Sequence, residues 1–182
     1  MPPLSTPMAI VRPADPAELN AVLEVLRAAN AEFADVLPAA VFAAYLANVL
    51  DIHSRLAVSE LLVAELDGQI AGTITVYPDA SHEGWEWPAH WAGLRALAVA
   101  PGARGHGLGR RLAEAALLRV RALEKDAVCL HTANFMQSAV PLYESLGFRR
   151  CPEYDQEVSQ LFGLGAAREP LLAVGYSLHL RA

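Results

Sequence analysis

Residues 97–111, Leu-Ala-Val-Ala-Pro-Gly-Ala-Arg-Gly-His-Gly-Leu-Gly-Arg-Arg, constrain this chain more than any other stretch. An apolar, strand-like run stops at Pro101. A loop carrying Gly102, Gly105, Gly107 and Gly109 follows, and it opens directly into an amphipathic helical pattern. Glycine lets the backbone approach an anion closely and adopt positive φ. The first N–H groups of a helix lack intrahelical partners and lie at the positive end of its dipole. Such a junction draws anions. Arg104 and Arg110 bring formal charge to the same place, and a pyrophosphate is the fitting guest. Two other readings compete: a flexible loop with solvent-facing arginines, and the dinucleotide fingerprint of a nucleotide-dependent oxidoreductase. The fingerprint asks for G-x-G-x-x-G within a βαβ unit. Here the glycines run G-x-G-x-G, Arg110 stands where the last small residue belongs, and no βαβ context precedes them.

The rest of the chain supplies elements on both sides of this junction. Residues 9–12 form a short apolar strand. Asp15-Pro16-Ala17-Glu18 is a helix start, with Asp15 as cap, Pro16 at the first position and Glu18 reaching back. Leu19, Val22, Leu23 and Leu26 then share one helical face, and a second helix covers 38–48. Residues 60–66 and 70–77 read as strands joined by the hairpin pair Asp67-Gly68. After a polar, aromatic-bearing loop over 78–90, a strand resumes over 91–99. Leu112, Ala113, Ala116, Leu117, Val120 and Leu123 mark a helix over 108–125. A strand over 127–132, a short helix over 138–146 ended by Gly147, and strands over 148–154 and 171–180 complete the order. A glycine-bearing loop around Gly163 and Gly165 separates the last two. The expectation is a mixed α/β fold: a twisted central sheet of about six to seven strands flanked by about four helices, as one domain over 8–182 after a loose lead-in at 1–7.

With 182 residues, 54% hydrophobic and 19% charged, the chain has apolar surface enough to fold. Its longest apolar run, 38–50, is too short to cross a bilayer, so no membrane partner is expected. The N-terminus lacks the pattern of a secretory signal, which makes cytoplasmic the expected location. Cys129 and Cys151 read as two reduced, buried thiols with no metal-ligand spacing, so no metal is expected. The net charge of −6 argues against nucleic acid and favours a cationic acceptor.

Arg104-x-x-Gly107-x-Gly109, just beyond Val99-Ala100-Pro101, resembles the acetyl-CoA signature of the GNAT superfamily of N-acetyltransferases. A second block agrees: Asn134, Ala139, then Pro141-Leu142-Tyr143-Glu144-Ser145-Leu146-Gly147-Phe148 is similar to that family's late motif. The order of elements also resembles the family fold. The resemblance implies that main-chain groups of Leu97, Ala98 and Val99 pair with the pantetheine arm. It implies that backbone amides of Arg104, Gly105, His106, Gly107, Leu108, Gly109 and Arg110 hold the pyrophosphate, and that Asn134 lies beside the pantetheine. A homodimer through the late strands is common in the family.

Direct acyl transfer from a thioester to an amine needs a neutral amine, a stabilised oxyanion and a proton for the departing thiolate. By the same resemblance, Tyr143 is the proton donor facing the cofactor sulfur. Many relatives carry a Glu on the fourth strand where this chain has Gly93. The base therefore comes from the preceding loop, where Asp79, His82, Glu83, Glu86 and His90 gather, or from water. His90 has the best-suited intrinsic pKa, and His90 or Glu86 is the expected base. Trp85, Trp87 and Trp91 share this loop and read as an acceptor wall, as an anchor onto the core, or as a dimer contact. No Ser or Cys stands in an activating context, so no acyl-enzyme is expected. The chain thus reads as an acetyl-CoA-dependent N-acetyltransferase acting on a small-molecule or peptide amine. The missing strand carboxylate leaves a second reading, a non-catalytic acyl-CoA-binding sensor or scaffold.

Overall fold

The computed structural model describes residues 8–162 and 171–180. The lead-in 1–7 and the loop at Gly163 and Gly165 lie outside them. Around one sheet the chain arranges β1 (Ala9–Pro13), α1 (Leu19–Asn30), α2 (Ala39–Leu50), β2 (Glu60–Leu66), β3 (Gln69–Tyr77), β4 (Ala92–Val99) and α3 (Leu108–Ala122). It continues through β5 (Ala127–Ala133), α4 (Val140–Ser145), β6 (Arg149–Arg150), β7 (Gln156–Glu157) and β8 (Leu172–His179). The sheet runs β1-β2-β3-β4-β5-β8-β6, with β7 also on β8. Only β4 and β5 pair in parallel, and α3 makes the crossover that a parallel pair requires.

Alternation along the strands sorts the core onto two faces. Leu62, Ala64, Ile74 and Val76 face α3, which meets them with Leu112, Ala116 and Val120. Leu61, Val63 and Ala98 face the other way, onto Val22, Val25 and Leu26 of α1. The Asp15 carboxylate accepts from Ala17 N at 2.8 Å, and the Asp15 N–H donates to Glu18 at 2.8 Å. This capping box starts a 3₁₀ turn that runs into α1. At the β2–β3 hairpin, Asp67 and Gly68 both take positive φ, 50° and 83°, as a type I′ turn demands.

The late strands differ from expectation. Over 148–154 only Arg149 and Arg150 are extended, and Pro152–Tyr154 winds into a 3₁₀ turn. Pro152 has no N–H for a ladder, which ends the strand there. The chain recovers two residues later as β7, giving eight strands among the described residues.

Trp87 pins the β3–β4 loop to this end of the sheet. It is 3% exposed, stacks on Tyr154 at 4.5 Å, and donates its indole N–H to His131 Nδ1 at 3.2 Å. The other His131 nitrogen reaches the Tyr154 carbonyl at 2.7 Å. These two bonds fix a neutral imidazole, and burial lowers its pKa further. Trp87→Phe keeps a ring but removes the donor and part of the stacked area. It is expected to destabilise the fold by about 1–2 kcal/mol in denaturant titration; an unchanged midpoint would show that the loop is held elsewhere.

Candidate active site

The glycine junction is built as an open cradle. Gly107 caps α3 in the left-handed region at φ 73°, and Gly105 sits at φ 85°. A Cβ built on either meets nothing within 4 Å, so the space over the loop is free for a ligand. The first helical bond closes from Arg111 N to Gly107 O at 3.1 Å. The N–H groups of Leu108, Gly109 and Arg110 therefore stand at the unpaired helix start. The arginine side chains are directed elsewhere than expected. Arg104 pairs with Glu32 at 2.8 Å and the Ala29 carbonyl at 3.2 Å, while Arg110 donates to Ser145 Oγ at 2.7 Å. Arg104 is thus tied to the turn that follows α1, and Arg110 lies between Ser145 of α4 and Glu114 of its own helix at 3.7 Å. The His106 ring lies 3.2 Å from the Ala103 carbonyl.

Beside the cradle the sheet splits. The β4–β5 ladder covers only Ala92, Gly93 and Leu94 against Val128, Cys129 and Leu130. Beyond it β4 carries a bulge: its register against β3 slips between Arg95 and Ala98, and Ala96 takes a left-handed φ of 53°. A non-glycine residue held there stores roughly 1–2 kcal/mol of strain and turns the strand away from β5. The wedge is lined by Leu97 and Ala98 on β4, by Thr132 and Ala133 on β5, and by Tyr143 from α4. Tyr143 is 8% exposed and packs edge-on against Phe148 at 5.9 Å. Burial pushes its phenol up to about 12, which keeps the proton on the oxygen. Asn134 follows β5, and its side-chain oxygen accepts weakly from Leu172 N at 3.4 Å, on the rim of the wedge.

The residue that sequence reasoning weighed but did not select is Glu83. Asp79 accepts from Ser81 N at 2.9 Å and Ser81 Oγ at 2.6 Å, starting the 3₁₀ turn Ala80–Glu83. That turn throws His82 outward and Glu83 inward. The Glu83 carboxylate fills the space over Gly93: a Cβ there would lie 1.9 Å from Glu83 Oε1. Glu83 is 9% exposed, Oε1 has no hydrogen-bond partner among the described residues, and it lines the wedge. Burial raises its pKa to about 8, against the opposing pull of Arg95 and then Arg55. The carboxylate missing from the strand is delivered by the loop.

The other loop candidates lie elsewhere. His90 is exposed and faces Asp126 at 4.0 Å, and Glu86 is also exposed; neither lines the wedge. Both stand on the solvent-facing side of the loop. Trp87 and Trp91 are buried in a cluster with Ala80, Cys129 and Cys151, so they anchor the loop. Only Trp85 of the three reaches the wedge wall. No helix among the described residues is long and apolar enough to cross a membrane.

Comparison with known proteins agrees with this geometry. The family model described as Acetyltransferase (GNAT) domain matches residues 57–150, which hold β4, the cradle, α3 and Tyr143. The chain is 33% identical over 108 residues to the probable N-acetyltransferase camello of Xenopus tropicalis, covering 57% of this chain and 46% of that protein. It thus spans about half the length of that curated relative. In fold it is similar to yncA of Salmonella typhimurium, solved with its cofactor acetyl-CoA, with a TM-score of 0.64 and 22% identity over 94% of each chain. It is likewise similar to the ribosomal-protein-S18-alanine N-acetyltransferase of Escherichia coli, with a TM-score of 0.65 and 17% identity over 96% of each chain.

Proposed function

The chain belongs to the GNAT family of acetyltransferases, and from that premise we propose that it binds acetyl-CoA and passes the acetyl group directly to a primary amine. The reading rests above all on the Glu83 carboxylate lying over Gly93, across the wedge wall from Tyr143. Acetyl-CoA supplies the acetyl thioester. The amides of 104–110 receive its pyrophosphate, and the free edge of Leu97, Ala98 and Val99 receives the pantetheine, with Asn134 alongside. Glu83 takes the proton from the acceptor nitrogen at its unpartnered Oε1. Tyr143 gives its phenolic proton to the departing sulfur. Cys129 and Cys151 are buried and burial raises both thiols, so neither offers a thiolate to carry the acetyl group. Glu83 over Gly93 favours the catalytic reading over a non-catalytic sensor, since it supplies a carboxylate near the strand position that lacks one.

Titration calorimetry with acetyl-CoA, followed by thiol release with a panel of amines, tests the reading. Heat of binding and amine-dependent thiol are expected; no heat at millimolar ligand overturns it. Gly107→Val localises the cradle. A β-branched residue is strained at positive φ, so the loop must shift, and the acetyl-CoA Kd is expected to rise about 10-fold or more. An unchanged Kd puts the pyrophosphate elsewhere.

A further inference from the structure

Next to Glu83 lies a second, polar cavity that shares Asn48, Glu83 and Arg95 with the wedge and is otherwise lined by Asp51, Ser54, Arg55, Val58, Tyr77 and His82; the Asp51 carboxylate is engaged by Ser54 Oγ at 2.7 Å. Both arginines are set into its wall, and they differ in how they are satisfied. Arg55 closes the end of α2, donating to the Asn48 carbonyl at 3.0 Å and the Val49 carbonyl at 2.6 Å. It is 9% exposed, yet its Nε has no hydrogen-bond partner among the described residues. Arg95 donates to the Asn48 side-chain oxygen. Among the described residues no carboxylate lies within ion-pair distance of it. Arg95 lines both cavities, and so does Glu83. On β4, Arg95 stands two residues beyond Gly93, hence on the same face and roughly 7 Å along the strand. The opposite end of the wedge is apolar and aromatic, with Phe135 edge-on to Tyr45 at 5.7 Å and Phe162 edge-on to Tyr45 at 6.1 Å.

The geometry points to an acceptor that carries a carboxylate a few bonds from its amine, an amino acid with an apolar side chain, whose carboxylate is held by Arg95 while its amine faces Glu83. The inference rests on the acetyltransferase reading and narrows it. A guanidinium presents a planar fork that matches the two oxygens of a carboxylate. Arg95 is half-buried and has no ion-pair partner among the described residues, so a bound carboxylate would complete its hydrogen bonding. With the terminal nitrogens of Arg55 committed to the Asn48 and Val49 carbonyls, Arg95 presents the open fork, which suits a carboxylate better than a phosphate dianion that calls for more donors. The expectation drawn from overall charge, a cationic acceptor met by tryptophan faces, is reversed locally. The wedge meets its guest with arginine, and two of the three tryptophans are turned into the core.

The test compares N-acetyl-L-phenylalanine with its carboxamide by calorimetry on the full chain saturated with CoA. The acid is expected to bind at least about 10-fold more tightly, equivalent to about 1.4 kcal/mol. Arg95→Met should abolish that preference, and Arg95→Lys should keep part of it. Equal or tighter binding of the amide, or binding of neither, overturns the proposal. If Arg95→Met does not fold, the comparison on the wild-type chain still decides. Thiol release with L-phenylalanine and L-phenylalaninamide separates the two layers. Preference for the acid in binding, with no thiol released from any amine, removes the transferase reading and leaves the anion site standing. Equal turnover of both removes the anion site and leaves the transferase.

Discussion

Replacing Glu83 by glutamine is expected to lower kcat/KM for amine acetylation by about 10²- to 10³-fold at pH 8, within the range for loss of a general base. The amide keeps the shape over Gly93 but accepts no proton. The wild-type rate should climb with pH through an apparent pKa near about 8, because burial holds Glu83 protonated below it. An acceptor of low amine pKa keeps its own ionisation out of this window. Glu83→Gln should flatten the climb; a climb that persists in the variant assigns the base elsewhere. Stability moves the opposite way. Below about 4.5 Glu83 is neutral in folded and unfolded chains alike, and between there and about 8 only the unfolded chain releases the proton. The folded state binds more protons across that interval, so wild-type stability falls as pH rises, at up to about 1.4 kcal/mol per pH unit for one group. Glu83→Gln lacks this loss and should melt above wild type at pH 9. A carboxylate returned from the strand, in Glu83→Ala combined with Gly93→Glu, should recover about 10-fold of the activity lost in Glu83→Ala, since both side chains point into one space.

Tyr143→Phe is the second large effect. The phenylalanine keeps the edge-on contact with Phe148 and the wedge wall, so the acetyl-CoA KM should hold while kcat falls by about 10²-fold. Burial keeps the proton on the phenol until the thiolate departs, so the transfer is tied to that departure. Pre-steady-state measurement of thiol release separates this from slow product loss. If kcat stays within about twofold of wild type, a change too small for the loss of a general acid, Tyr143 has no part in the proton transfer.

The elements on either side of the cradle were legible because each obeys a local rule. Asp15 and Glu18 cap α1 by hydrogen bonds three residues apart, Asp67-Gly68 turns the hairpin through positive φ, and the α3 stripe repeats at helical spacing. Tyr143 was legible through its motif. Glu83 was not, because five titratable residues share its loop and their separation depends on a 3₁₀ turn only four residues long. Two signals pointed to it: the Asp79-x-Ser81 cap, which sets the turn, and Gly93, since a glycine inside a strand marks the close approach of another group. Arg95 escaped notice because its meaning lies in what is missing around it, and pairing across a sheet is not encoded in neighbouring residues. The tryptophans misled for a related reason: concentration in one loop says nothing about which way a ring turns.

The short β4–β5 ladder has a mechanical consequence. Beside the wedge the backbone ladder between the β1–β4 half of the sheet and the β5–β8 half is three residue pairs long, with the α3 crossover and the contacts of Trp87 with His131 and Tyr154 adding to it. A guest lying along Leu97, Ala98 and Val99 serves as the absent rungs, so the folded chain alone is a seam left partly unsewn. Occupancy and rigidity then become one property, and a guest at 100 times its Kd adds about 2.7 kcal/mol to the free energy of unfolding.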